Sequence, residues 1–218
     1  MKLGSILKAF MLMGAITAHA EMGCPPAVPT PGQYGPFNYD DPEARAKKLP
    51  IVEQYHFQPE VELLIKGESG VYVGGDLDYV LRAFPNHARA LNAMARLAKK
   101  EKTNQPRGAR FTVECYFKRA TGFAPEDPMP YMLYGNYLFS ESKPDEALEK
   151  YKQAEKLDPN NANILYNAGL LYFDMKQYGE ALSYAKKAYS LGFPLPGLRN
   201  KLEKIGKWVP DSEQNSSR

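Results

Sequence analysis

The sequence predicts an all-α protein: a solenoid of stacked helix pairs, preceded by an extended proline-rich strap and closed by a single capping helix. Two observations carry this. Offsetting the chain by 34 residues lays Gly135 on Gly169, Ala147 on Ala181, Leu148 on Leu182, Ala154 on Ala188 and Leu157 on Leu191. A period of this length marks helical units that cannot bury an apolar face alone and must stack on their neighbours. Small residues also fall where two helices have to touch. Gly135 and Gly169 let a first helix approach its partner, and Ala147 and Ala154, seven apart, form a seam on the second.

Residues 1–20 read as a secretory signal. Lys2 and Lys8 supply the positive end, Ala9 to Thr17 the short apolar core, and Ala18-His19-Ala20 a small-x-small site with cleavage after Ala20. The apolar run is well short of the roughly 20 residues needed to cross a bilayer. A lipid-anchored form attached at Cys24 is the alternative, but Glu21-Met22-Gly23 lacks the aliphatic residue expected three before such a cysteine. The expected location is therefore periplasmic or secreted. The chain holds 28 basic and 25 acidic residues, two of the lysines within the signal, so the charge balance calls for neither nucleic acid nor an anionic membrane surface. With 44% apolar and 24% charged residues the composition is that of an ordinary globular chain.

Residues 21–53 are dense in proline, glycine and aromatics, among them Tyr34-Gly35-Pro36-Phe37-Asn38-Tyr39. Such a stretch predicts an extended strap, its aromatic rings lying over the convex side of the solenoid. A polyproline docking motif for another protein is the alternative. Cys24 and Cys115 are the only cysteines. On a helix from about Arg110 to Thr121, Val113, Phe117 and Ala120 share a face and Cys115 points away from it. A covering segment is then needed, and the strap that carries Cys24 can supply it. Export favours a Cys24–Cys115 disulfide over two unpaired thiols.

A degenerate helix pair is expected over 54–87. It comprises a short helix from Pro59 with Val61, Leu64 and Ile65 apolar, a loop from Gly67 to Gly75, and a helix capped by Asp76 that ends before Pro85. The Gly74-Gly75-Asp76-Leu77-Asp78 run lacks the further ligands of a cation or phosphate loop. Repeats follow over 88–127, 128–161 and 162–195. Val113, Phe117, Ala120 and Pro125 of the first stand 34 residues before Ala147, Tyr151, Ala154 and Pro159. Its two helices are separated by an insertion, Glu101 to Arg107, expected to be solvated slack unless it carries a contact of its own. Asp127 and Pro128 are expected to start the second of these repeats and Asn161 to cap the third, and Ser142-x-x-Asp145 resembles a capping box. Gly192 stops the last pair, and a helix over 196–206 with Leu198, Leu202 and Ile205 closes the solenoid, with Trp208 as its seal and the solenoid running to 209. Residues 210–218 read as a polar disordered tail.

The runs Tyr131-x-x-Tyr134-Gly135-x-x-Leu138, Ala147-x3-Tyr151-x2-Ala154 and Pro159 resemble the tetratricopeptide (TPR) repeat. The next copy keeps Gly169, Tyr172, Ala181 and Ala188 but carries its proline one place late, at Pro194. The resemblance implies a right-handed α-solenoid whose first helices line a groove for an extended peptide or a partner helix. The groove-facing positions would be Arg89, Asn92, Arg96 and Lys99, then Met132, Asn136 and Phe139, then Asn163, Tyr166, Leu170 and Phe173. Phe139 and Phe173 have a second reading as packing between repeats, and Lys99 with Lys100 as a solvated helix end. Lys and Asn do not recur at the paired positions that a carboxylate clamp needs, so recognition of a chain terminus is not supported.

Enzyme constellations are missing from the sequence. His56 and His87, the only histidines after the signal, lack a second metal ligand at helical spacing, and neither a Gly-x-Ser-x-Gly nor a phosphate-loop pattern occurs. The expectation is a non-enzymatic adaptor with a protein or peptide partner, no cofactor and no metal, acting in envelope or secretion-complex assembly. A periplasmic enzyme or enzyme subunit acting on cell-wall or polysaccharide material is the second class. The oligomeric state is left open by the sequence.

Overall fold

Proline, which ends helices, also begins them, and four helices in the computed structural model start on one. The structure describes residues 23–68 and 71–208; the signal reading with its cleavage site, and the tail, lie outside them. Eleven α-helices are present among the described residues. They are α1 (Pro42–Lys47), α2 (Leu49–His56), α3 (Pro59–Glu62), α4 (Val73–Ala83), α5 (Ala88–Glu101) and α6 (Val113–Phe123). Then come α7 (Pro128–Ser140), α8 (Pro144–Leu157), α9 (Ala162–Asp174), α10 (Tyr178–Ser190) and α11 (Gly197–Lys204).

The pairs α5/α6, α7/α8 and α9/α10 stack in chain order, with first helices α5, α7 and α9 forming one row. This is the α-solenoid that the 34-residue period predicts. Ala147, Ala154, Ala181 and Ala188 are fully buried in the seams. A Cβ on Gly135 would stand 2.8 Å from the ring of Tyr151, a buried residue of the paired helix, so that glycine is required by close approach. A Cβ on Gly169 would meet Leu198 of α11 at 2.7 Å and Tyr184 at 3.2 Å. α11 packs on α9 and α10, with Leu198 and Leu202 fully buried, whereas Ile205 is exposed. Trp208 lies edge-on to Tyr189, ring centroids 5.8 Å apart.

The N-terminal part differs most from expectation. The extended strap ends at Asp41, not at residue 53, because Pro42 and Pro50 occupy first-turn positions where a missing N–H costs nothing. The partner of α4 is accordingly α2, which begins at Leu49, and α3 is a single turn. Asp76 is not the cap of α4. Tyr72 holds that position, and Asp76, buried inside the first turn, accepts from Glu68 N (2.9 Å) and pairs with His56 Nδ1 (2.9 Å). Nor is Ser142 a cap, for it takes a left-handed φ of 61° in the α7–α8 turn and Lys143 precedes α8. Asp127 and Asn161 do cap α7 and α9, accepting from Met129 N and from Asn163 and Ile164 N.

The insertion after α5 is not slack. Its Arg107–Gly108 backbone lies against the first turn of α4, so closely that a Cβ on Gly74 would stand 2.4 Å from Arg107 O. Buried Asp78 holds the far end of the insertion, accepting from Tyr116 Oη (2.5 Å) and pairing with Arg82 and Arg110. Only a glycine-bearing α4 start permits this docking.

The strap lies on the second helices. Cys24 and Cys115 form a disulfide with Cα atoms 5.4 Å apart, Arg119 Nη1 donates to Pro25 O and Pro26 O, and Phe37 N donates to Ala83 O. Asn86 fastens the strap's end, giving its Nδ2 hydrogens to Asn38 Oδ1 and Asp127 Oδ2 and accepting from Tyr39 N. Burial pushes the Asp127 carboxyl up to about 6; Asp40 adds to the rise, while the bonds from Asn86 and Met129 N oppose it. A folded-state value above the unfolded one of about 3.9 means that the protonated form favours folding. The contribution is full below about pH 4 and is lost as pH rises through about 6. Relative to Asp127→Asn, the native protein should therefore lose about 1 kcal/mol of stability between pH 5 and pH 7. Urea titrations of both proteins at the two pH values measure it, and equal changes in the two would remove Asp127 from the account.

Candidate peptide groove

Helix α5 turns one stripe toward α7: Asn92, Ala95, Arg96 and Lys99, spaced i, i+3, i+4, i+7. The facing stripe on α7 is Leu133, Asn136 and Ser140, and Phe117 and Tyr137 lie between the two. Together they enclose a depression of about 150 Å³. Four of the sequence-predicted groove residues, Asn92, Arg96, Lys99 and Asn136, thus come together. Among the described residues the Asn92 amide and the Lys99 ammonium have no partner. Asn136 Oδ1 accepts from Tyr151 Oη at 2.6 Å, which leaves its two N–H donors facing the groove.

The other seven lie elsewhere, each for a physical reason. Arg89 is bound within the chain, forking onto Glu62 and reaching Glu53 at 3.3 Å. Its hydrogen bond and charge hold the Glu62 carboxyl below the ordinary range; Glu53 is lowered first by its bond from His87, with Arg89 helping. The fully buried His87 caps α5, Ala90 N donating to Nδ1, which leaves Nε2–H to donate to Glu53 Oε1 at 3.1 Å. Arg96 sits beside this cluster and gives Glu62 O one 3.4 Å bond. The basic end of the groove is therefore narrower than predicted, Arg96 and Lys99 rather than three cations.

Met132 is buried in the main core and Phe139 packs against it, so α7 presents a face turned by one residue from the predicted one. Leu133 and Ser140, one turn either side of Asn136, carry that face; helical spacing from Asn136 allows this pair and the Met132/Phe139 pair alike, so it could not choose between them. Asn163 is exposed at the start of α9. Tyr166 is buried beneath α11, stacked on Phe193 at 3.8 Å and accepting from Leu198 N. Leu170 and Phe173 belong to the same small cluster, with Lys201 of α11 over the Phe173 ring. α11 occupies the place where the first helix of another pair would stack, and it closes that end of the row.

Among the described residues no group of three or more His, Cys, Asp or Glu is arranged to hold a metal, and no helix is long and apolar enough to cross a membrane. What the fold defines is a helical-repeat protein with a polar, partly basic groove between two first helices. The TPR repeat family model matches residues 135–176 and the Tetratricopeptide repeat model residues 162–191. Residues 135–191 are thus matched as tetratricopeptide repeats. It is 32% identical over 104 residues to Protein O-mannosyl-transferase TMTC3 of Homo sapiens, covering 48% of this chain and 11% of that protein. The Mus musculus protein of the same name is 32% identical over 99 residues, covering 45% and 10%. The chain thus spans about a tenth of the length of these curated relatives. Among solved structures it is similar to the Sgt2 TPR domain from Aspergillus fumigatus, with TM-score 0.46 and 16% identity over 60% of this chain and 84% of that one.

Proposed function

We propose that the chain is an exported, non-catalytic adaptor that holds an extended segment of a partner protein in the α5/α7 groove, in the assembly of an envelope or secretion complex. The repeats themselves make protein–protein interaction the role of such a scaffold. The observation that carries the site is the set of uncommitted polar groups around one depression: the Asn92 amide, the Asn136 donors and the Lys99 ammonium. Amides so placed satisfy the backbone of an extended visitor, and Arg96 with Lys99 favours carboxylates on it. Export rests on the charge and apolar pattern of residues 1–20.

Affinity capture from a periplasmic extract tests the reading. A stoichiometric partner should be retained by the native protein and lost by the Arg96→Glu/Lys99→Glu double variant, with an affinity fall of about tenfold or more from two reversed rim charges. Undiminished capture by a variant with unchanged circular dichroism would remove the groove from the proposal. Recovery of the protein in the cytoplasmic fraction would remove the export.

A further inference from the structure

The groove does not end at Lys99. Two larger depressions adjoin it, and the three share residues. Lys99 lines both the groove and a depression of about 320 Å³ over the insertion, formed with Lys102, Thr103, Asn104 and Glu141. Asn104 in turn lines both that depression and a cleft of about 550 Å³ beside the disulfide, whose other walls include Cys24, Thr112, Glu114 and Lys118. Tyr137 stands between the groove and this cleft and lines both. Each of the three depressions thus shares a lining residue with each of the other two.

The walls are built. Asn104 O accepts from Val113 N at 2.8 Å, Thr103 and Gln105 bond to one another, and the loop's far side is docked on α4, so the insertion has one shape. The disulfide fixes the opposite wall by holding Gly23 and Cys24 against α6. Charge along the path is one-sided. Lys99 and Lys102 carry no carboxylate partner among the described residues, Arg96 acts on the Glu62 carboxylate only through its charge, and Glu141 is the one acid lining the groove and the depression over the insertion. In the cleft Glu114 is offset by Lys118 at 3.1 Å and Lys143 at 3.7 Å. The Tyr137 hydroxyl, without a hydrogen-bond partner among the described residues, is pushed up to about 12 by burial and then by the charges of Glu141 and Glu114, so it stands as a neutral donor between the groove and the cleft.

We infer that the disulfide cleft is a second subsite for the same visitor: an extended, acidic peptide segment leaves the groove at Lys99, crosses the insertion over Lys102 and Asn104, and ends against the Cys24–Cys115 bridge. This rests on the groove reading above and adds to it the partner's charge and its path. An occupant of the groove alone needs about six extended residues, roughly 20 Å, whereas one reaching the cleft needs about twelve.

Fluorescein-labelled probes of alternating aspartate and alanine, six and twelve residues long, test this by fluorescence polarisation on the oxidised full chain. The longer probe should bind about tenfold more tightly than the shorter. Lys102→Glu should bring the longer probe down to the shorter one's affinity and leave the shorter one unchanged, with circular dichroism confirming the fold. Equal binding of the two lengths, or a longer probe indifferent to Lys102→Glu, overturns the second subsite while leaving the groove intact. Binding of neither overturns the acidic occupant, and the capture experiment decides the groove independently.

Discussion

Replacing Cys24 and Cys115 together by serine is expected to lower the unfolding free energy by about 4 to 5 kcal/mol. The bridge joins residues 91 apart, and chain entropy in the unfolded state grows with the logarithm of that loop. The folded state loses as well. Arg119 is buried, its Nε has no hydrogen-bond partner among the described residues, and burial lowers its pKa, so it depends on the carbonyls of Pro25 and Pro26 that the bridge holds above it. Freed from the bridge, that part of the strap can leave, and the guanidinium then exchanges those two carbonyls for water. From Gln33 onward the strap keeps its own ties, to Arg82 O, Ala83 O and Asn86, so the solenoid should still form. Reversible urea unfolding followed by circular dichroism, with the variant compared against native protein with and without reductant, gives the number. A loss under about 1 kcal/mol would show that the strap is held by its hydrogen bonds and aromatic contacts instead.

The repeat was legible because it is written in local terms. Glycine at Gly135, alanine at Ala147 and Ala154, and caps at Asp127 and Asn161 each state a requirement of their own helix, and the structure meets them. The disulfide was legible for a related reason: a helical wheel places Cys115 off the core face, yet it is only 3% exposed, because the strap covers it. Where the sequence misleads, two local rules compete or a distant segment decides. Proline both forbids the middle of a helix and favours its first turn, and at Pro42 and Pro50 the second rule holds. Asp76 has the residue type of a cap but is drawn inward by Glu68 N and His56. Arg89 fits the groove pattern, but its acceptors lie 27 and 36 residues away, a pairing that no helical spacing encodes. The groove itself was half legible. The α5 stripe follows from periodicity, while the rotation of α7 is set by which of Met132 and Leu133 the core takes.

The end of the solenoid gives the second large expectation. Leu198→Ala should cost about 3 kcal/mol, within the 2–5 kcal/mol span of buried leucine truncations. Leu198 is fully buried between α11 and α9, and the site cannot readily collapse, because Gly169 opposite has no side chain to advance into the space. In a repeat array this loss should not spread evenly, since each unit contacts only its neighbours and a terminal one opens alone. Trp208, the only tryptophan, reports on that unit: its ring lies against Tyr189 and under the Arg199 guanidinium, 5.1 Å from the ring centroid. Tryptophan emission in Leu198→Ala should therefore shift at lower urea than the helical circular dichroism signal, whereas the native protein should show the two closer together. Undocking α11 also uncovers Tyr166, Leu170 and Phe173, the first-helix positions that it closes. If the cap only terminates the array, Leu198→Ala should leave binding of the acidic hexamer at the α5/α7 groove unchanged, because α5 and α7 keep their own partners. A fall in that affinity as large as the loss at the cap would mean that the pairs do not act as near-independent units, and the linear picture of this solenoid would have to be given up.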